Sequence, residues 1–220
     1  RYFGPKVSEL CTAYIGGMLE EYSKTLDWHA KDSALHLFLA CAVTNVSATE
    51  LNPMIKVQDI FTSHILPEIQ DPTDVNSRPI VKAGAIKLVC IFRTHLPLEF
   101  LLQILPYVIN HLKSSAVVIQ TYAAMCIERF LMIKDKAPAA AGIGNGDSAA
   151  AQVSVSRIKK EHIVGHAQAM MAELFVVLEN PELPENDYVM KCIMRLLVVL
   201  GSEIVPLTEL VLSKLTVIFE

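Results

Sequence analysis

The chain has 220 residues, 52% hydrophobic and 19% charged, enough to bury a large core without disulfides or metals, so disorder of the whole chain is excluded. Its formal net charge of −4, with a pI near 6.0, lacks the basic excess that a phosphate backbone selects, and no nucleic acid is expected as a partner. Mean hydropathy is high at +0.40, yet the longest stretch free of formal charge, residues 33–49, contains His36, Thr44, Asn45 and Ser47 and falls short of the roughly 20 apolar residues of a membrane span. No membrane is expected, and helices covered on more than one side account for the apolarity.

Apolar residues recur at helical spacing almost throughout, with no convincing alternating strand pattern, so the class is all-α. Helices are predicted over residues 7–24, 27–43, 55–69, 79–94, 98–111, 115–133, 161–179, 186–200 and 204–219. Start signals mark the second member of each pair: Asp27, Ser77 ahead of Pro79, Ser114 with Ser115, and Asn186. First members recur about every 40 residues, the period of HEAT-type repeats. The expected fold is a right-handed α-α superhelix, a solenoid of HEAT-type hairpins, with residues 1–220 forming one segment of about four and a half repeats.

The helix over residues 115–133 carries one stripe of Ile119, Tyr122, Cys126, Phe130 and Ile133, with Val117, Ala124 and Leu131 on other sides, so it needs neighbours on both flanks. In the helix from Asn186, Val189, Ile193, Leu196 and Leu200 make the core stripe. Asp187, Lys191 and Arg195 share another face, either solvated or in contact with a partner.

Residues 134–160 depart from helical chemistry. Gly142, Gly144 and Gly146 among Ala and Ser have little to bury, so a flexible insertion with a basic rim at Arg157, Lys159 and Lys160 is expected. The five cysteines are odd in number, scattered, and set in apolar helical patterns, which reads as buried thiols in a reducing compartment. On that ground the sequon Asn45-Val46-Ser47 carries no weight. The chain opens at Arg1 and stops at Glu220 inside an apolar pattern, as a piece of something longer would.

Signals for chemistry are incomplete. The glycines at 142, 144 and 146 follow a helix and lack the Gly-Lys-Ser/Thr of a phosphate loop. His162 and His166 have the spacing of two zinc ligands, but no Glu lies between them and no further ligands lie nearby. His29, His36, His64, His95 and His111 stand singly, and no activated nucleophile or paired carboxylates are recognisable. No catalytic residue, cofactor or metal is assigned, and the protein is not expected to be an enzyme.

With the helix pairs placed, the residues resemble a known family, the CAS-type export receptors of the importin-β superfamily. The strings are DWHAKDSAL from Asp27, HILPEI from His64, PIVKAGAIKLVCIFR from Pro79, YVINHL from Tyr107, QTYAAMCIERF from Gln120 and ENDYVMKCIMR from Glu185. A single helix of this kind identifies little; the ordered series through the chain is specific.

The resemblance implies a receptor that binds importin-α and Ran in its GTP form in the nucleus and releases both in the cytoplasm. It further implies contacts with nuclear pore proteins at the nuclear envelope. Under it, second helices line the concave side, and their polar residues Lys31, Asp32, Lys82, Lys87, Glu128, Arg129, Asp187, Lys191 and Arg195 form the pool of candidate partner contacts. Ladder roles between repeats compete for each of them. A static HEAT scaffold is the alternative from another class, and an all-α enzyme the third.

Overall fold

The computed structural model describes residues 4–44, 49–71, 74–136, 154–182 and 186–219. In the first hairpin Pro5 opens α1 (Pro5–Thr25), where its missing N–H costs nothing. The helix ends as Leu26 takes a left-handed φ of 57° and returns its N–H to the Tyr22 carbonyl. Asp27 then caps α2 (Trp28–Ala42), accepting the His29 N–H at 3.0 Å, as its sequence position predicts.

The first helix of the second hairpin, expected to be continuous, is built as α3 (Val57–Ile60), a π turn (Phe61–Ile65) and α4 (Leu66–Gln70). Pro67 has no N–H to send back to residue 63, and the Leu66 N–H reaches one residue further, to the Phe61 carbonyl. The second helix is α5 (Pro79–Phe92). Ser77 does not cap it: Arg78, at a left-handed φ of 50°, occupies that position, while Ser77 Oγ donates to the Asp74 carbonyl and accepts from Lys82.

The third hairpin pairs α6 (Leu98–His111), which contains Pro106, with α7 (Val117–Leu131). Ala116 takes the cap position of α7, and Ser114 Oγ accepts the Ala116 N–H at 3.1 Å just before it. The fourth consists of α8 (Lys160–Ile163), a 3-10 turn at Gly165, α9 (Ala167–Leu178) and α10 (Asp187–Leu200). Asn186 caps α10, accepting N–H groups from Tyr188 and Val189. A further 3-10 stretch (Gly201–Leu207) leads into α11 (Thr208–Phe219).

These helices form two layers. The second helices α2, α5, α7 and α10 pack side by side in chain order, and α4, α6, α9 and α11 do the same in the other layer. The chain is therefore an all-α solenoid whose core is shared between neighbouring hairpins. Helix α7 shows why: Ile119, Cys126 and Phe130 are fully buried while α5, α6 and α10 all touch it. At the first junction Phe38, Phe61, Phe92 and Phe100 interlock with ring centroids 5.4 to 6.5 Å apart. Gly84 of α5 faces α2, where a Cβ would meet Leu35 Cδ1 at 3.6 Å, an ordinary contact distance.

Of the 134–160 insertion, residues 134–136 and 154–160 are described. Strands β1 (Lys134–Lys136) and β2 (Ser154–Ser156) pair antiparallel, with Asp135 opposite Val155. Arg157 binds the Asp135 carboxylate with two nitrogens, at 2.6 and 2.9 Å, and donates to the Thr94 and Leu96 carbonyls between the second and third hairpins. Ile158 behind it is buried. The glycines at 142, 144 and 146 and the sequon at Asn45 lie outside the described residues.

The helical run Asp187–Thr216 is apolar enough by length and composition to cross a membrane, although only 17% of its most apolar window is buried here. Asp187, Lys191, Arg195, Glu203, Glu209 and Lys214 punctuate it, so it holds no long charge-free stretch. In this fold its stripe of Val189, Ile193, Leu196 and Leu200 is already packed inside the stack, where α10 meets α7 and α9.

Candidate functional site

The nine candidate contacts all lie on the second helices, but the structure divides them. Lys31 and Lys82 are removed from any surface. Lys31 is 3% exposed, donates to Glu68 Oε1 at 2.6 Å and lies 4.4 Å from the centre of the Tyr22 ring. Lys82 is fully buried between Asp71 Oδ2 at 3.1 Å and Ser77 Oγ at 2.7 Å. Arg78 links the two groups, binding Asp71 at 2.6 Å, Tyr22 Oη at 2.5 Å and Glu68 at 3.3 Å.

This chain of charges locks the first hairpin to the second: Lys31 reaches across to Glu68, while Lys82 pairs with Asp71 and Ser77 of its own hairpin. Burial lowers the Lys31 pKa against the opposing pull of Glu68, and burial, with Glu68 beside it, pushes the Tyr22 phenol up to about 12. Asp32 is half-buried, 3.7 Å from His36, on the side of α2 that faces Gly84 of α5.

Lys87 and Arg129 are brought together with residues that sequence reasoning did not single out. They line one groove of about 690 Å³ over α5, α7 and the start of α10, with Arg93, Tyr122, Met125 and Tyr188. Val118 and Tyr188 are each 43% exposed. Arg93 donates to the Cys90 carbonyl at 2.8 Å, which holds its guanidinium at the groove edge. Glu128 lies outside the lining but leans on Arg129 at 3.6 Å.

The field of the cations reaches the groove floor. The Cys90 thiol is held below its ordinary pKa by its hydrogen bond with Cys126, against burial, with Arg93 and Arg129 adding to the effect. Cys126 is shifted the opposite way, chiefly by burial. All five cysteines are free thiols.

Asp187, Lys191 and Arg195 lie along α10 beyond the groove. The Asp187–Lys191 pair forms at 3.6 Å with both side chains largely in water, which makes it worth little, and Lys191 stands 5.5 Å from the Tyr188 ring centre. Arg195 is half-buried, and its Nε has no hydrogen-bond partner among the described residues.

A signal for the groove was present in the sequence. Val118, Tyr122, Met125 and Arg129 recur at four-, three- and four-residue steps and so form a second stripe on α7, overshadowed by the core stripe to which Tyr122 had been assigned. No group of three or more potential metal ligands occurs among the described residues, and His162 Nδ1 accepts the Lys159 N–H at 3.2 Å.

Comparison with known proteins follows the same span. The Cse1 family model matches residues 1–127, and the model for the C-terminal part of the CAS/CSE proteins matches residues 149–220. Exportin-2 of Xenopus laevis and of Homo sapiens are each 30% identical, and that of Oreochromis niloticus 32% identical, over 98% of this chain and 21% of each relative. A solved structure of the exportin Cse1 in its cargo-free, cytoplasmic state matches with a TM-score of 0.72 at 22% identity, covering 97% of this chain and 21% of that one. The chain thus spans about a fifth of the length of these relatives.

Proposed function

The chain belongs to the Cse1/CAS family, and on that premise we propose that this protein is a nuclear export receptor that carries importin-α to the cytoplasm in a complex with Ran-GTP. It shuttles between nucleus and cytoplasm, meets nuclear pore proteins at the nuclear envelope, and acts by binding alone. GTP hydrolysis on Ran, not on this chain, ends the complex.

What supports this reading is family likeness running in order along a two-layer stack, whose second-helix face carries a groove lined by Lys87, Arg93 and Arg129. In such a stack each hairpin touches only its neighbours, so small rotations add up to a change of curvature. A partner that prefers one curvature biases the stack toward it, and a second partner with the same preference then binds more tightly. Coupling of this kind is typically about 1 to 3 kcal/mol and reciprocal between the two ligands.

Capture experiments with the full-length protein test the proposal. Importin-α should be retained in the presence of Ran locked in the GTP form and lost with Ran-GDP. Capture that ignores the nucleotide would replace the receptor with a static scaffold of the same fold.

A further inference from the structure

Among the described residues, two grooves of similar size that open on the stack differ in charge. The first, about 630 Å³ between α1 and α3, has Glu20 and Asp59 as well as Lys56 and His64 on its walls and so favours neither sign. The second, over α5, α7 and α10, has Lys87, Arg93 and Arg129 among its eleven lining residues and no carboxylate. Its floor is apolar, from Ile91, Val118 and Met125, and Tyr122 and Tyr188 stand in its walls. Three cations around one apolar strip, in a chain whose net charge is −4, are a local reversal of the average field.

We infer that this groove receives a short acidic segment of a partner protein, with one or two apolar side chains seated on the Ile91–Val118–Met125 strip and Asp or Glu residues beside Lys87, Arg93 and Arg129. The apolar floor selects a peptide over a bare anion, because a small anion would leave that strip in water, whereas an apolar anchor covers it while the flanking carboxylates meet the rim. Arg129 is 45% exposed, and its Glu128 neighbour at 3.6 Å is a long contact that an incoming carboxylate can displace. The inference rests on the transport reading only in expecting the partner to be a protein carried by this receptor.

The probe is a fluorescein-labelled peptide of about twelve residues with a central Leu-Phe pair flanked by Asp and Glu, titrated into the full-length protein by fluorescence anisotropy. Binding is expected, weakening about fivefold or more between about 50 and about 300 mM salt. The double reversal Lys87→Glu with Arg129→Glu should cost tenfold or more, on the order of what loss of two rim charges does, and the milder Lys87→Gln with Arg129→Gln a smaller part of it. Helical content of each variant is checked by circular dichroism, and the Gln pair keeps the test valid if the Glu pair unfolds.

Equal binding of a Lys-flanked peptide with the same centre, or unchanged affinity in both double variants, overturns the inference. So does complete competition by about 10 mM inorganic phosphate, which would assign the cations to a bare anion. Self-association that both variants abolish would give the groove to a second copy of the chain and overturn it as well. Nucleotide-dependent capture of importin-α is run on the same preparation: its failure while the acidic peptide still binds sinks the transport reading alone, and its success while the peptide fails sinks this inference alone.

Discussion

Lys31 on α2 and Glu68 on α4, 37 residues apart in sequence, meet at 2.6 Å inside the stack with side chains only 4% and 5% exposed. The same Glu68 oxygen accepts from Tyr22 of α1 and Arg78 ahead of α5, so one carboxylate touches both hairpins, while its other oxygen finds no partner among the described residues. A pair this deep is maintained by completeness: removing one charge strands the others away from water.

Glu68→Gln should therefore destabilise the stack by about 3 kcal/mol, because Lys31 and Arg78 lose their shared counter-charge. Lys31→Met should cost less, since Glu68 keeps Arg78 and the methionine refills the space of the lysine stem. Urea unfolding followed by circular dichroism measures both. A loss under about 0.5 kcal/mol for Glu68→Gln would show that the network is peripheral to stability.

His111 of α6 predicts an acid sensitivity. It is 1% exposed, and burial, helped by Lys82, drives its pKa down to about 4, with Asp71 and the Ile69 backbone opposing. The unfolded chain takes up this proton near pH 6.5, before the folded chain does, so stability is lost as pH falls from about 6.5 toward about 4, by roughly 3 kcal/mol at most. Comparing urea midpoints at pH 7 and pH 4.5 for the parent and for His111→Leu isolates this contribution from that of the carboxylates. If both proteins lose the same amount, His111 is not the source.

The two-layer plan was legible because each helix carries its own stripe: Val189, Ile193, Leu196 and Leu200 were assigned to the core from spacing, and all four are buried. Caps supplied by a residue's own side chain, as at Asp27 and Asn186, were legible too. Ser77 misled because its hydroxyl is used within the turn before α5, by the Asp74 carbonyl and the Lys82 ammonium, while Arg78 takes the cap position.

The burial of Lys31 and Lys82 was hidden because it depends on packing between elements. A lysine on an amphipathic helix reads as solvated unless the chain shows which carboxylate will face it, and Glu68 and Asp71 come from another helix and the turn after it. The groove needed three helices to be set side by side before Lys87, Arg129 and Tyr188 could be seen as one feature.

The stem of the 134–160 insertion carries a stability prediction. Removing residues 134–160 as a block should lower the melting temperature, since Arg157 ties the stem to the Thr94 and Leu96 carbonyls and Ile158 is buried behind it. Arg157→Ala should reproduce most of that loss, about 2 kcal/mol, by leaving those carbonyls short of a donor and Asp135 without its partner. Asp135 is half-exposed, so Asp135→Asn should cost much less. A melting temperature unchanged by both the deletion and Arg157→Ala would mean that the stem rests on the stack without bracing it.

Apolar side chains on the faces that no described helix covers predict how the 220-residue chain behaves by itself. On α10 and beyond, Met194, Val198, Val205 and Leu212 are each at least 60% exposed, and on α1 Leu10 and Tyr14 are 57% and 62% exposed. Scattered exposed apolar residues are ordinary, but here they follow helical spacing along the outermost helices, so they form stripes of the kind a further hairpin buries in a solenoid. The isolated chain should bind a hydrophobic dye such as ANS and self-associate with rising concentration. Val198→Glu combined with Leu212→Lys should reduce dye fluorescence by about threefold or more while leaving helical content unchanged, because neither side chain supports the core. A monodisperse, dye-silent parent chain would show that these stripes are too narrow to act as a docking surface, and would remove the packing argument for reading them as sites where neighbouring repeats attach.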